Sequence, residues 1–237
     1  MTQRPSPATA GSQTLDRGLR ALEALAEHGA PISISELADR LGVHRSNAYR
    51  ILRTLEDHRF VLRDEAGLIR IGPRLAAIAR GAAPNLHAAA TPELTLLAER
   101  LGMTAFVSVL DADVAITLLS VEPSRGHASV AQRPGAQHSV AQGAPGHAIE
   151  AILTPAEHRA AFGGAEPSAA AQRTAELGYS VSTDEVIPGI TSVAVPLRIA
   201  GEPPAALAVV RIGMPEDVDA IVAELRGAAE RISQNYR

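Results

Sequence analysis

Residues 33–53, SISELADRLGVHRSNAYRILR, restrict what this chain can fold into more than any other stretch. Ser33 and Glu36 stand three apart, the spacing of a helix capping box. Leu37, Ala38 and Leu41 form one apolar stripe, and Gly42 suits the left-handed backbone that ends a helix. A second helix is expected over residues 44–58. At roughly 100° per residue, Ala48, Ile51, Leu52 and Leu55 share one face, and Ser46, Tyr49, Arg50 and Arg53 share the opposite one. A helix buried on one side, with hydroxyl, phenol and guanidinium groups on the other, has the chemistry of one laid in a DNA groove. The stretch reads as a helix-turn-helix.

Its flanks extend the reading. Leu15, Leu19, Leu22 and Leu25 recur at helical spacing before His28-Gly29-Ala30-Pro31 stops that helix. Downstream, residues 60–63 and 68–71 flank Asp64-Glu65-Ala66-Gly67 as a two-stranded hairpin. Three helices closed by a hairpin make a winged helix-turn-helix. Gly72-Pro73 opens a further helix over residues 74–82, and residues 85–92 read as a joint.

Charge divides at the same place. Through Arg80 the chain has 12 arginines against 9 acids, a net of +3; from Gly81 onward it has 10 against 17, a net of −7. A basic front joined to an acidic back expects a polyanion to meet the front alone. The chain has no cysteine, which excludes disulfides, thiolate catalysis and cysteine-ligated zinc. It has no uncharged apolar run of about 18 residues, so no membrane span is expected. Residues 1–13 read as a flexible tail rather than a secretory signal, and a cytoplasmic location is expected.

Behind the joint, a helix is expected over residues 93–101 and strands over residues 104–110, 114–121 and 128–132. A Gly/Pro-rich loop at 143–146 leads into a helix, and Thr154 with Glu157 forms a second capping box. A helix over 168–177, strands over 191–197 and 205–211, and a closing amphipathic helix over 215–233 complete an α+β domain with a mainly antiparallel sheet.

Leu15-Asp16-Arg17-Gly18-Leu19, Ser35-Glu36-Leu37-Ala38 and Ser46-Asn47-Ala48-Tyr49-Arg50-Ile51-Leu52 in the front resemble the IclR family of transcriptional regulators. So do Gly146-His147-Ala148, Gly178-Tyr179, Asp184-Glu185, Pro188-Gly189-Ile190 and Ser192-Val193-Ala194-Val195-Pro196 in the back. Asn47 stands where the family usually has threonine. The resemblance implies a winged-helix domain over residues 14–72, a linker helix and joint over 73–92, and a GAF-like effector domain over 93–237. It also implies dimers or tetramers that bind palindromic double-stranded operators and sense a small, often carboxylate-bearing metabolite.

For DNA contact the candidates are Arg45, Ser46, Asn47, Tyr49, Arg50 and Arg53 on the second helix, with Arg63 and Arg70 on the wing. Arginine grips phosphate or guanine O6/N7 with two hydrogen bonds, while Ser, Asn and Tyr position the helix or read an edge. The resemblance places an effector pocket between the sheet and the 143–146 loop, closed by residues 182–192. Backbone N–H groups of Gly143 and Ala144 before a helix suit a carboxylate; Pro145 has none to offer. Ser192 and Ile190 match family pocket positions, and Ser182 stands where an acid can occur. His138 stands where an apolar pocket residue is common. Val209 and Arg211 replace serines of some relatives, and Arg211 would either anchor a carboxylate or lie at the solvated end of its strand.

His127, His138 and His147 fall in one region without metal-ligand spacing, and His147 is expected at the surface. Asp111 with Asp113, and Asp184 with Glu185, read as turn and loop residues rather than acid/base pairs. No nucleophile–base arrangement, phosphate loop or dinucleotide fingerprint is present, so no cofactor and no enzyme activity are expected. Two alternatives stay open: a back half that only oligomerises, and an enzyme acting on a small acid. Dimer contacts are expected on the helices around residues 19–25 and 74–82.

Overall fold

The computed structural model describes residues 11–79, 81–124 and 130–236. The chain divides into two compact units between Ala82 and Ala83. Most of the expected N-terminal tail lies outside the described residues.

The front unit contains α1 (Gln13–His28), α2 (Ile34–Leu41), α3 (Arg45–Asp57), β1 (Val61–Arg63), β2 (Ile69–Ile71) and α4 (Pro73–Ala79). Its core joins Ala21 and Leu25 of α1, Leu37 and Ala38 of α2, and Ala48, Ile51, Leu52 and Leu55 of α3, with Val61 and Ile69 of the hairpin. The stripe read from the sequence is thus the buried face of α3. Ser33 Oγ accepts the Glu36 N–H (3.2 Å) and caps α2, but the Glu36 carboxylate turns to Arg40 (3.2 Å) instead of completing the box. His44 caps α3 through Nδ1, which accepts the Ser46 N–H at 3.4 Å. The wing pairs Val61 with Ile71 and Arg63 with Ile69, and Ile32 bridges Ile69 to tie it to the helices.

The back unit contains α5 (Pro84–Leu101), β3 (Thr104–Asp111), β4 (Val114–Val121), β5 (Gln137–Ser139), α6 (Gly143–Glu150), α7 (Pro155–Phe162), α8 (Ala169–Leu177), β6 (Ser180–Thr183), β7 (Ile190–Leu197), β8 (Ala205–Ile212) and α9 (Val218–Asn235). Its six strands lie in the order β5-β4-β3-β8-β7-β6, and every neighbouring pair is antiparallel. One face of the sheet, with Val107, Val193, Leu207 and Val209, packs on α5 and α9. The other, with Phe106, Ala194, Ala206, Ala208 and Val210, packs on α6. Alanines on that second face let the wholly buried α6 lie close to the strands.

Two expectations change. The joint at 85–92 is the first half of α5, which runs through Pro92. Leu86, Ala89, Ala90, Leu94 and Leu97 recur at helical spacing and are all buried, and that burial outweighs the backbone hydrogen bond Pro92 cannot donate. The strand expected at 128–132 is not found: 128 and 129 lie outside the described residues, and 130–132 are irregular. The edge strand is instead β5, with His138 opposite Ala115. The β6 edge strand, with a single apolar side chain, gave no periodic signal.

The capping box at Thr154 and Glu157 does form. Arg198 grips Glu157 with both guanidinium nitrogens (2.8 and 2.7 Å), and this, together with the Thr154 N–H, draws the Glu157 carboxyl down to about 2. A lowered folded-state pKa contributes stability that is present above the unfolded value and lost as pH falls through the folded one. The stability gap between the natural chain and Glu157→Gln is therefore expected to be constant above about pH 5 and to narrow toward about pH 2. Denaturant midpoints measured across that range check this; a gap independent of pH would refute it.

Candidate functional site

On the front unit, Arg45, Ser46, Asn47, Tyr49, Arg50 and Arg53 are all exposed along α3, because the buried stripe turns them outward. Among the described residues Arg45, Arg50, Arg53 and Arg70 form no ion pair, which leaves their guanidinium groups free for an anion. Asn47 and Arg50 border a groove shared with Ser12, Thr14 and Arg17 of the α1 end. Arg63 differs. Its Nε donates to Glu56 at 2.8 Å, and its guanidinium lies 5.8 Å from the Tyr49 ring centroid. Glu56 holds the Arg63 guanidinium above its ordinary range. Arg63 therefore fastens the wing to α3 and is less available to DNA than Arg70.

In the back unit Gly143, Pro145, His138, Ser182, Ile190 and Ser192 come together around one small cleft, although they span three separate stretches of sequence. Phe106, Val130, Gln132 and Val210 complete it and were not singled out from the sequence, while Glu185, Val186 and Ile187 belong to the segment expected to close the pocket. Val209 and Arg211 do not border it. Strand alternation gives the face toward α6 to Ala206, Ala208 and Val210, which places Val209 in the core on the other side. Arg211 is exposed, and its Nε donates to the Ile212 carbonyl at 3.2 Å. The side chain that the cleft does receive from β8 is Val210.

The first turn of α6 sets the polar chemistry of the cleft. Gly143, at φ +76°, opens the helix in a conformation other residues rarely adopt, and this turns two successive N–H groups outward. The Gly143 N–H donates to Glu185 Oε2 and the Ala144 N–H to Ser182 Oγ, each at 2.8 Å. Glu185 Oε2 also lies 3.4 Å from Nε2 of His147. His147, expected at the surface, is buried, because α6 has no exposed face. Ser192 Oγ donates to the Val209 carbonyl at 3.0 Å. His127 lies outside the described residues, and among the described residues no three His, Asp or Glu side chains gather as a metal site.

A larger cavity of about 440 Å³ lies beside α7 and α8. Its buried carboxylate, Glu150, is already taken by the Ser168 N–H (2.9 Å), the Ser168 hydroxyl (2.6 Å) and His158 Nε2 (3.3 Å). That cluster clasps the end of α6 to α8 and offers no free group to a ligand.

Comparison with known proteins agrees with both halves. Residues 14–65 match the IclR helix-turn-helix domain, and residues 82–234 match the bacterial transcriptional regulator IclR C-terminal domain. The chain is 35% identical to the transcriptional repressor IclR of Escherichia coli over 109 residues, 45% of this chain and 40% of that protein. It likewise spans less than half the length of several other curated relatives. A crystal structure of an IclR transcriptional regulator from Alicyclobacillus acidocaldarius is 28% identical, with a TM-score of 0.83 over 96% of this chain and all of that one. An IclR homologue from Microbacterium hydrocarbonoxydans, solved in complex with 4-hydroxybenzoate, shares the fold (TM-score 0.81, 22% identity, 95% of this chain and 99% of that one). No helix among the described residues is long and apolar enough to cross a membrane. With both family domains matched in order over nearly the whole described fold, the chain belongs to the IclR family of bacterial transcriptional regulators.

Proposed function

We propose that this chain is a DNA-binding regulator whose front unit reads an operator and whose back unit senses a small carboxylate-bearing metabolite. The observation that carries the first half is the outward face of α3. There three arginines, unpaired among the described residues, stand beside Ser46, Asn47 and Tyr49 over a buried stripe. The second half is supported by the Gly143 N–H at the start of α6, which already holds a carboxylate in this structure, and by the neighbour that binds 4-hydroxybenzoate. Exposed Leu15 and Leu19 on α1, and Ile78 on α4, favour a dimer or a tetramer on a palindromic site. Such a regulator would work in the cytoplasm. An enzymatic role is set aside, because the family matched over residues 82–234 is one of regulators.

A back unit that only oligomerises remains the second reading, favoured by the small volume of the cleft, about 50 Å³. Selection of duplex DNA from a random pool by the full-length chain tests the first half. The expected product is an inverted repeat whose half-sites lie about 34 Å, or a multiple of that, apart. Failure to enrich any sequence would defeat it. Titration of 4-hydroxybenzoate, benzoate and short aliphatic carboxylates against the selected site should then move its affinity by about five-fold or more. A flat response to all of them, with no heat of binding, would favour the oligomerising reading.

A further inference from the structure

We propose that Glu185 gates the effector cleft: its carboxylate is the resident occupant of the Gly143 N–H at the start of α6, and a carboxylate effector binds by displacing it. This rests on the effector reading above.

A helix opens with backbone N–H groups that have no partner within it. At the start of α6 each of them is accounted for. The Gln142 N–H donates to the Ser139 carbonyl at 3.0 Å. Gly143 donates to Glu185 and Ala144 to Ser182. Pro145, next in line, has no N–H to leave unpaired. In this turn no donor remains for an incoming anion. The donor pair read from the sequence as the carboxylate seat is filled, and one of its two partners is itself a carboxylate.

Glu185 reaches that seat from a short turn between β6 and β7. Asp184 takes a left-handed backbone (φ +63°), and its side chain accepts the Gly189 N–H, while its own N–H donates to the Ile190 carbonyl. The two ends of the turn are pinned together, and Glu185, the residue after the pinned end, projects onto α6. His147 Nε2 at 3.4 Å gives the carboxylate a second polar neighbour. Val186 and Ile187 follow it over the cleft and leave about 50 Å³, well below the roughly 300–1,000 Å³ of ordinary ligand pockets. A ligand of benzoate size therefore enters only if this turn lifts.

Displacement is chemically balanced. Two carboxylates cannot share the Gly143 N–H without like-charge repulsion, so effector and Glu185 exclude one another. The Glu185 side chain is 39% exposed, so it exchanges the seat for water without being stranded in the core. An incoming carboxylate restores the hydrogen bond that Glu185 gives up. A neutral amide restores it poorly and lacks the charge that the helix terminus favours. The resident acid thus sets a cost that every ligand of this size meets and a carboxylate repays best, and its departure frees the turn that closes the cleft.

Calorimetry on the full-length chain tests this, with benzoate, 4-hydroxybenzoate and benzamide at constant ionic strength. Apparent affinity falls by the fraction of molecules whose seat is empty, so a seat filled nine-tenths of the time hides about ten-fold of affinity. Glu185→Ala should tighten both carboxylates by about ten-fold, and Glu185→Gln by less, since its amide oxygen still accepts the Gly143 N–H. Benzamide, which meets the same closed turn, should gain by a similar factor yet stay weaker than benzoate in every variant, and the exposed Glu216→Gln, which removes a charge elsewhere, should leave all three ligands unaffected. In the ligand-free protein, amide hydrogen exchange at Gly143 should quicken in Glu185→Ala while Ala144, held by Ser182, keeps its protection. Equal carboxylate affinity in the natural chain and both Glu185 variants would overturn displacement and leave the pocket intact. Benzamide binding as tight as benzoate in the natural chain would show that the seat does not select a carboxylate, and would overturn the exchange of one carboxylate for another. If no variant binds any carboxylate, the effector reading fails, and this inference fails with it.

Discussion

Replacing Arg50 with alanine is expected to weaken binding of the full-length chain to its selected operator by about 1–3 kcal/mol at each half-site, if Arg50 reads a base. Arg50 lies in the middle of the exposed face of α3, one turn from Ser46 and one from Arg53, and no carboxylate pairs with it among the described residues. A free guanidinium at the centre of a recognition face has nothing to give up on entering the groove, whereas Arg63 would first have to leave Glu56. Arg63→Ala should therefore act mostly by loosening the wing, with a smaller effect on binding. Salt separates a phosphate grip from base reading. If Arg50 holds phosphate, its removal should weaken all duplexes alike and lower the slope of log affinity against log salt by about one for each phosphate no longer neutralised. If it reads guanine, discrimination at one base pair should collapse while the slope holds. Unchanged affinity and slope would remove Arg50 from the interface.

The front unit was largely legible because a helix buried on one side has only one way to present the rest. Once Ala48, Ile51, Leu52 and Leu55 are assigned to the core, the outward set follows from geometry. The wing was equally plain, since Asp64 and Gly67 are turn formers between the mainly apolar stretches 60–63 and 68–71, and Asp64 Oδ1 does accept the Leu68 N–H that closes the turn. What stayed hidden was pairing between charged groups. The Arg63–Glu56 ion pair joins residues seven apart in sequence, on different elements, and no spacing rule announces it.

The back unit was less legible because its site depends on which face of a sheet each residue occupies. The resemblance placed Val209 and Arg211 at the pocket, but which face of β8 meets it is fixed only by where α6 and α9 pack. Glu185 shows the limit most clearly. It is 42 positions from Gly143 along the chain, and Asp184-Glu185 by itself reads as an ordinary acidic turn. Only the edge position of β6, an element without a periodic signature, brings it to the start of α6. Pro145 likewise looked like a defect in an anion loop. With the helix in place it is the residue that spares α6 an orphan donor.

Gly146→Ala is the second substitution expected to have a large effect, and it links folding to sensing. A Cβ at position 146 would lie 2.3 Å from the Val140 carbonyl oxygen and 2.9 Å from its carbon, both of them backbone atoms. Neither side can yield easily. Val140 is fully buried and its N–H donates to the Asp113 carbonyl, while every residue of α6 is buried between the sheet and its neighbours. Forcing one methyl into such a space costs about 1–3 kcal/mol, occasionally more. The strain falls on the first turn of α6, the turn that carries the Gly143 and Ala144 donors. Calorimetric unfolding of the full-length variant should therefore show a lower transition for the back unit, and carboxylate response should disappear even where that unit remains folded. The core on the other face of the sheet, around Leu207 and Leu225, is untouched and should keep the fold recognisable by circular dichroism. An unfolding midpoint equal to that of the natural chain would show that Val140 can retreat, and that the approach of strand to helix does not fix the seat.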